Sequence, residues 1–194
     1  MDTIDELVRR QIMSKAFFHP IEGASIENIL SQQEIERMHL HKAIPQKLIK
    51  LISSNGERNA TIVSLLDRIL RDGKRVIYFG SSVHQSKLMS GMLGIMGHRS
   101  AHVDGNSGAE RSTSISGYRN GQIQCLCNYG VLSTGFDDPS TDVVFIGRVT
   151  NSIVLYSQMI GRGLRGRLLG GTDLCDVYTV VDNIADLPEN KEIY

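Results

Sequence analysis

Apolar residues recur along the chain with two different periods, and the change of period divides it into two segments. In the first segment they are spaced three or four residues apart, which is typical of helices with one buried face. This spacing predicts helices over about 45–55 and 60–71, and shorter ones over about 4–12 and 25–30, the last capped by Ser25. The first part of the chain is therefore expected to be mainly helical.

Short apolar runs alternate with helical patterns from residue 75 onward. We predict five buried strands, over about 75–79, 99–103, 122–127, 142–146 and 177–181. Strands that alternate with helices form right-handed crossovers, which give a parallel sheet covered by helices on both faces. The pattern thus predicts an α/β fold in two segments, a helical one over 1–74 and an α/β domain over 75–194.

Polar residues and glycines follow the ends of these predicted strands. They are Ser81-Ser82, Asp104-Gly105, the segment after Cys127, and Gly147 to Thr150. A buried core does not need such residues, and ligands of parallel α/β sheets gather at the carboxyl ends of the strands. This edge of the sheet is therefore expected to carry a binding site.

Composition limits the kind of protein that the chain can be. Its 194 residues fit one domain, and 21 Lys and Arg balance 21 Asp and Glu, so nucleic-acid binding through bulk positive charge is excluded. Three cysteines without a second cluster predict buried free thiols rather than a zinc or other metal site. No run reaches the roughly 18 apolar residues of a membrane span, and the acidic start MDTIDE is no signal peptide, which predicts a cytoplasmic protein without a membrane partner.

The strongest candidate for chemistry is the stretch from Tyr156 to Gly166, in which Arg162 and Arg165 lie beside three glycines. On a helix, residues three apart share a face, so both guanidinium groups would point to one ligand, and guanidinium matches phosphate oxygens. The alternative is a solvated, basic helix end. We expect this stretch near the carboxyl edge, where Thr134, Asp137 and Thr150 also emerge.

Equally informative are the motifs that the chain lacks. It has no G-x-x-x-x-G-K-[ST] phosphate loop, no Asp-Glu pair after a strand for magnesium, and no Ser/His/Asp set at credible spacing. Paired arginines without a phosphate loop look like half of a nucleotide site, since arginines can be delivered to a nucleotide that another domain holds.

Four motifs in order now support a resemblance to the second RecA-like domain of superfamily 2 helicases and translocases. Residues 156–166 resemble helicase motif VI, residues 132–139 motif V, residues 76–84 motif IV, and residues 102–121 the element between motifs IV and V. The forms QMIGRGLR and GFDDP are most similar to the restriction-enzyme and DEAH-like branch, which moves on duplex DNA. The resemblance implies a RecA-like three-layer sandwich preceded by a mainly helical N-terminal segment.

The resemblance also implies roles for particular residues. Arg162 and Arg165 would reach across an interdomain cleft to the phosphates of ATP, and Gln158 would lie near the γ-phosphate. Nucleotide contacts are implied for Gly135, Asp137 and Gly161, and nucleic-acid backbone contacts for Ser82, His84, Gly105 and Thr150. One implied partner is a first RecA-like domain, which would hold the phosphates of ATP and the Mg²⁺ for the most part. The other is a nucleic acid, either DNA or RNA, and the similarity to the restriction-enzyme branch favours duplex DNA. The isolated chain is therefore expected to hydrolyse no ATP.

Two other readings remain open at this point. A catalytically silent RecA-like module would bind only a protein or a nucleic acid, but it would have no physical reason to retain Arg162 and Arg165. A Rossmann-like enzyme for a small phosphorylated ligand would need G-x-G-x-x-G after the first strand, and Gly80-Ser-Ser does not provide it.

Overall fold

A computed structural model describes residues 3–27, 30–41, 44–132 and 138–184. The helices are α1 (Thr3–Arg9), α2 (Gln32–His41), α3 (Gln46–Ser54), α4 (Gly56–Arg71), α5 (Val83–Ile95), α6 (Gly108–Arg119), α7 (Ile153–Ile160) and a short 3-10 helix (Arg167–Leu169). The strands are β1 (Lys15–Ile26), β2 (Val76–Phe79), β3 (Ser100–Val103), β4 (Cys125–Asn128), β5 (Val143–Ile146) and β6 (Leu174–Ile184).

The six strands form one sheet in the order β1-β6-β5-β2-β4-β3, and every pairing is parallel. All five predicted strands are present, as β2 to β6. Every residue of β2, β4 and β5 is buried, because these strands lie inside the sheet with helices on both faces. This is why each appears in the sequence as a short continuous apolar run, and the α/β prediction is confirmed.

Alternate residues of the central strands face two separate cores. Ile77 packs in one core with Tyr118 of α6 and Met159 of α7. Tyr78 packs in the other, which includes Ile62 of α4 and Met89 of α5. The molecule therefore has three layers, with α6 and α7 on one face of the sheet and α4 and α5 on the other. This is the predicted RecA-like sandwich.

The expected helix after Ser25 is wrong, because Ser25 and Ile26 end strand β1. This strand pairs with β6 from Lys15 opposite Leu174 to Ile26 opposite Ile184. A long-range pairing stabilises it at the edge of the sheet, and its mixed burial gives no continuous apolar run for sequence reasoning to find. The first segment thus supplies one strand of the sheet. The domain boundary between residues 74 and 75 stays a prediction.

The other predicted helices of the first segment are present. Helix α3 follows Pro45, and α4 begins at Gly56, four residues earlier than expected from its apolar spacing. The side chain of Asn55 caps α4 by accepting a hydrogen bond from the Arg58 N–H at 2.8 Å, which explains the earlier start. Within the described ranges, no helix combines the length and apolar character that crossing a membrane requires.

Candidate functional site

The four residues predicted to line a nucleic-acid track lie at one edge of the sheet. Ser82 and His84 follow β2, Gly105 follows β3, and Thr150 follows β5, so the parallel order brings all four to the carboxyl ends of the strands. His84 and Gly105 are exposed and Ser82 is partly buried, whereas Thr150 is only 4% exposed. Three of the four are thus accessible to a ligand, and their role stays a prediction.

The hydroxyl groups at this edge hold the starts of two helices. Ser82 Oγ accepts a hydrogen bond from the Gln85 N–H at 3.1 Å and caps α5. Ser152 caps α7, and the hydroxyl of Thr150 accepts from the Ser152 N–H at 3.1 Å. Thr150 therefore shapes the turn into α7 from a buried position.

Arg148 lies in the Gly147 to Thr150 segment predicted at this edge, but sequence reasoning assigned it no role of its own. Its guanidinium carbon is 5.0 Å from the centre of the Tyr129 ring. Tyr129 follows β4 and Arg148 follows β5, and β2 lies between those strands. Only the strand order brings the two side chains together, so the sequence carried no local signal for the pair.

A buried polar network lies beneath this edge. The carbonyl of Gly147 accepts hydrogen bonds from Ser81 Oγ at 2.6 Å and from Arg58 Nη2 at 2.7 Å. The Arg58 guanidinium also donates to both carboxylate oxygens of Asp182, at 2.7 and 2.9 Å. The network therefore ties α4 to the carboxyl end of β5 and to β6.

A chain of Ser, His and Asp side chains, unrecognised in the sequence, lies beside β3. Ser86 Oγ is 2.8 Å from His102 Nδ1, and His102 Nε2 is 3.2 Å from Asp104 Oδ2. Ser86 is fully buried, so its hydroxyl is inaccessible to a substrate and the arrangement is structural. The bond from His102, together with the Asn106 N–H and the Ser107 hydroxyl, lowers the pKa of Asp104 to about 2 and fixes the turn at Gly105.

The predicted arginines do not share a helical face. Helix α7 ends at Ile160, with Gly161 as its C-cap, and residues 161–173 form a loop that we call the arginine loop. A Cβ at Gly163 would lie 2.4 Å from Cys175 Sγ and 2.7 Å from Val144 Cγ2. The helix ends here because the backbone turns to pack directly against β5 and β6, so the expectation from helical spacing is wrong.

The arginine loop lies at the amino edge of the sheet, opposite to Thr150. Arg165 forms an antiparallel bridge with Met13, just before β1, and the Lys15 N–H donates to the Asp173 carbonyl at 2.8 Å, just before β6. The expectation of a carboxyl-edge location is wrong because α7 starts at that edge and returns the chain along the sheet to the other. The two sets of candidate residues are thus separated by the length of a strand, which is roughly 13 Å for four residues.

Other predicted nucleotide residues lie at the same end of α7. Gln158 is partly buried in the last turn of the helix, and Gly161 is exposed directly after it. Gly135 and Asp137 lie outside the described residues. Gln158 and Gly161 thus lie at the end of α7 from which the arginine loop continues, and the chemical role of each stays a prediction.

Asp138, which follows the predicted nucleotide residues, serves the fold at this amino edge. Its Oδ1 accepts a hydrogen bond from the Ser140 N–H at 2.9 Å, and its Oδ2 lies 3.5 Å from Arg75 Nη2. Arg75 in turn lies over the Tyr118 ring at 4.4 Å. This carboxylate is therefore engaged with a structural arginine.

The candidate donors of the arginine loop are cationic side chains. Across the part of the chain that the structure describes, no group of three or more His, Cys, Asp and Glu side chains could hold a metal ion. The two guanidinium groups of the arginine loop match phosphate oxygens in charge and geometry. The guanidinium groups therefore fit the phosphates of a nucleotide.

Comparison with known proteins gives a family match. The family described as the helicase conserved C-terminal domain matches residues 57–167, more than half of the chain. A 51.5 kDa protein of a Lactococcus phage (isolate 7-9) is 27% identical over 158 residues, which cover 75% of this chain and 35% of the phage protein. IRC3 of Saccharomyces cerevisiae, described as an ATP-dependent helicase, is 43% identical over 56 residues, which cover 29% of this chain and 8% of the yeast protein.

A solved structure shows the same fold over nearly the whole chain. It is a fragment described as an HsdR subunit of a type I restriction enzyme from Vibrio vulnificus YJ016, with a TM-score of 0.63 and 15% identity. The match covers 94% of this chain and 34% of the Vibrio chain. At this identity the likeness is one of fold, and in each of these three comparisons this chain corresponds to a minor part of a longer protein.

Proposed function

The chain belongs to the family of helicase conserved C-terminal domains, and from this premise we propose that it is the second RecA-like domain of an ATP-dependent helicase or translocase of superfamily 2. The observation that carries the proposal is the separation of the candidate residues. Arg162 and Arg165 lie in a loop at the amino edge of the sheet, whereas Ser82, His84 and Gly105 lie at the carboxyl edge. The same domain would thus have an arginine-containing surface that suits phosphates at the amino edge and a separate polar surface at the carboxyl edge.

The proposed role of Arg162 and Arg165 is to stabilise negative charge on phosphate oxygens. ATP, when bound, supplies the phosphoryl group that is transferred to water. Guanidinium groups held close to that group favour the transition state, in which charge builds up on its oxygens, and such arginines contribute about 10³ to 10⁵ in rate. Gln158 and Gly161, at the end of α7, would lie beside the same ligand.

The carboxyl edge is proposed to contact the nucleic-acid backbone. His84 and Gly105 are accessible there, and Arg148, stacked on Tyr129, adds a cation to the same edge. Contacts to phosphates carry no sequence information, which suits a motor that moves along any sequence. Because the chain has no net charge, further basic surface would come from the first RecA-like domain.

The phosphate loop and the magnesium ligands are proposed to belong to that first domain. Neither a phosphate loop nor an Asp-Glu pair after a strand is present in this sequence. We therefore expect the purified 194-residue chain to show no steady ATP turnover, with or without DNA.

The experiment that tests the proposal is Arg165→Ala in the longer protein that carries both domains. ATP turnover should fall by at least about a thousandfold, while binding of a DNA duplex, measured by fluorescence anisotropy, should be retained. Arg71→Ala is the matched control, because Arg71 is an exposed arginine on α4 and its ion pair with Asp67 lies within that helix. Unchanged turnover in Arg165→Ala would remove the arginine role, and turnover by the isolated chain would refute the two-domain requirement.

A further inference from the structure

The arginine loop is held by a short segment from the start of the chain. We call residues 11–15, which precede and enter β1, the N-terminal strap. The Ser14 N–H donates to the Leu164 carbonyl at 3.2 Å, and the Gly166 N–H donates to the Ile12 carbonyl at 3.1 Å. The Leu168 N–H donates to the Gln11 carbonyl at 2.9 Å. The strap is thus hydrogen-bonded to the residue before Arg165 and to residues after it.

Ser14 contacts both limbs of the arginine loop at once. Its hydroxyl oxygen is 2.7 Å from the Arg165 carbonyl and 2.7 Å from the Thr172 carbonyl. The two limbs are also joined directly, since the Thr172 N–H donates to the Arg165 carbonyl at 3.0 Å. Ser14 is 2% exposed, so its hydroxyl cannot exchange these partners for water. The backbone of Arg165 is therefore located by a buried side chain.

Close packing leaves this arrangement no room for displacement. A Cβ at Gly166 would lie 2.2 Å from the Gln11 carbonyl oxygen, and one at Gly171 would lie 1.8 Å from the Arg165 carbonyl oxygen. Gln11 itself has a φ of 58°, in the left-handed region that a residue with a Cβ seldom adopts. The strap thus holds an unfavourable conformation at the point where its carbonyl meets the loop.

We propose that the N-terminal strap positions Arg165 for catalysis, with Ser14 as the positioning residue. The inference rests on the proposed function, since it assumes that Arg165 acts on the phosphates. An arginine that must meet a developing charge is sensitive to small shifts of its backbone, and a misplacement of about 1 Å can cost about a hundredfold in rate. The strap lies outside the family match, which begins at residue 57, so the match assigns it no role.

The main test compares Ser14→Ala with Ser25→Ala in the longer protein that carries both domains. Ser25 is an exposed serine in strand β1, which continues from the strap, and it serves as the matched control. For Ser14→Ala we expect kcat for ATP to fall between about tenfold and a hundredfold with KM within about twofold, because the arginine acts in the transition state. Ser25→Ala should behave as the parent protein, and Ser14→Thr, which retains the hydroxyl, should recover most of kcat.

A second measurement in the same protein separates positioning from general stability. Hydrogen exchange at Gly166, Leu168 and Thr172 should become faster in Ser14→Ala, while Tyr78 in the central strand keeps its protection. If Ser14→Ala does not fold, Ser14→Cys keeps the size of the side chain with a weaker donor, and its kcat should be intermediate. Equal loss of protection at Tyr78, or a normal kcat in Ser14→Cys and Ser14→Ala, would overturn the inference.

The two proposals fail in different ways. If Arg165→Ala turns over ATP normally, the proposed function of the arginine fails, and the positioning role fails with it. If Arg165→Ala is inactive but Ser14→Ala keeps the parent kcat, the inference about the strap fails alone. If both variants lose kcat and Ser14→Thr restores it, both proposals are supported.

Discussion

The guanidinium of Arg58 and the carboxylate of Asp182 form a two-point ion pair, at 2.7 and 2.9 Å, inside the protein. Their side chains are 1% and 2% exposed. Asp182 also accepts the Ala24 N–H at 2.8 Å, so one carboxylate joins α4, β1 and β6. This carboxylate thus connects residues 24 and 58 to residue 182, which are far apart in sequence, within one folded unit.

We expect Arg58→Met to destabilise the protein by about 3–5 kcal/mol, because it leaves a buried carboxylate without its cation. Adding Asp182→Asn to that variant should recover part of the loss, since the amide oxygen still accepts from Ala24 and the buried charge is gone. Urea unfolding measures both changes. The control Arg71→Ala removes only an exposed ion pair between residues four apart on a helix, and it should lower the free energy of unfolding by less than about 1 kcal/mol. A double variant as unstable as Arg58→Met would contradict the ion-pair account.

The ionised Asp104 carboxylate stabilises the folded protein, and this contribution is lost at acid pH. Hydrogen bonds, above all from His102, lower its pKa from 3.8 to about 2. A group with a lowered pKa stabilises the folded state above its unfolded value, and this contribution is lost as pH falls from 3.8 to about 2. Asp104→Asn should therefore weaken the fall in unfolding free energy between pH 4 and pH 2, measured with urea. Asp5→Asn, at an exposed carboxyl on α1, controls for the loss of one negative charge, and an unchanged pH slope in Asp104→Asn would count against the prediction.

The three cysteines should resist alkylation in the folded protein. All are buried and free. Burial raises the pKa of Cys175 to about 12. The pKa of Cys127 is raised mainly by its hydrogen bond with Cys125 and, to a smaller extent, by burial. Because the thiolate is the nucleophile, iodoacetamide at pH 8 should add nothing to the native chain and three groups after unfolding in urea. Intact mass shows the number of adducts, and a rapid adduct on the native protein would disprove the burial argument.

Gly163→Ala should destabilise the packing of the arginine loop by about 1–3 kcal/mol, because the new methyl group meets Cys175 and Val144. For a chain of this size, each 1 kcal/mol lowers the melting temperature by about 2–4 °C, which calorimetry resolves. Gly161→Ala is the control, since its Cβ would lie 3.3 Å from the Ser157 carbonyl oxygen, a close contact but a far less severe one than at Gly163. Adding Cys175→Ala should relieve part of the effect, and an equal melting temperature for both glycine variants would contradict it.

Arg148→Ala tests the nucleic-acid surface at the carboxyl edge. If Arg148 contacts a phosphate, the variant should weaken binding to DNA of any sequence and reduce the slope of log K against log salt by about 1. The measurement is anisotropy over a salt series in the proposed two-domain protein. Tyr129→Phe, which keeps the ring under the guanidinium, is the matched control. An unchanged slope in Arg148→Ala would place the backbone contacts elsewhere.

Sequence reasoning located most of the fold, including the edge strand β3, but it missed the other edge strand, β1. Strands β2, β4 and β5 were visible because burial on both faces demands apolar residues at every position. Strand β1 was missed because buried and exposed residues are mixed along it and because Pro20 and Gly23 interrupt its apolar pattern. Gly23 is required for a reason that no local pattern shows, since a Cβ there would lie 2.3 Å from Asp182.

The amino-acid sequence by itself determined the α/β class, the family resemblance and the identity of the candidate arginines. These depend on residue types and on spacing along the chain, which a sequence displays directly. Only the tertiary structure decided that Arg165 lies at the amino edge, opposite to Thr150, and that Ser14 holds it there. Those facts depend on the direction of α7 across the sheet and on a contact between residues 151 positions apart. No local pattern encodes such a contact, because its free energy arises only when the whole chain is folded.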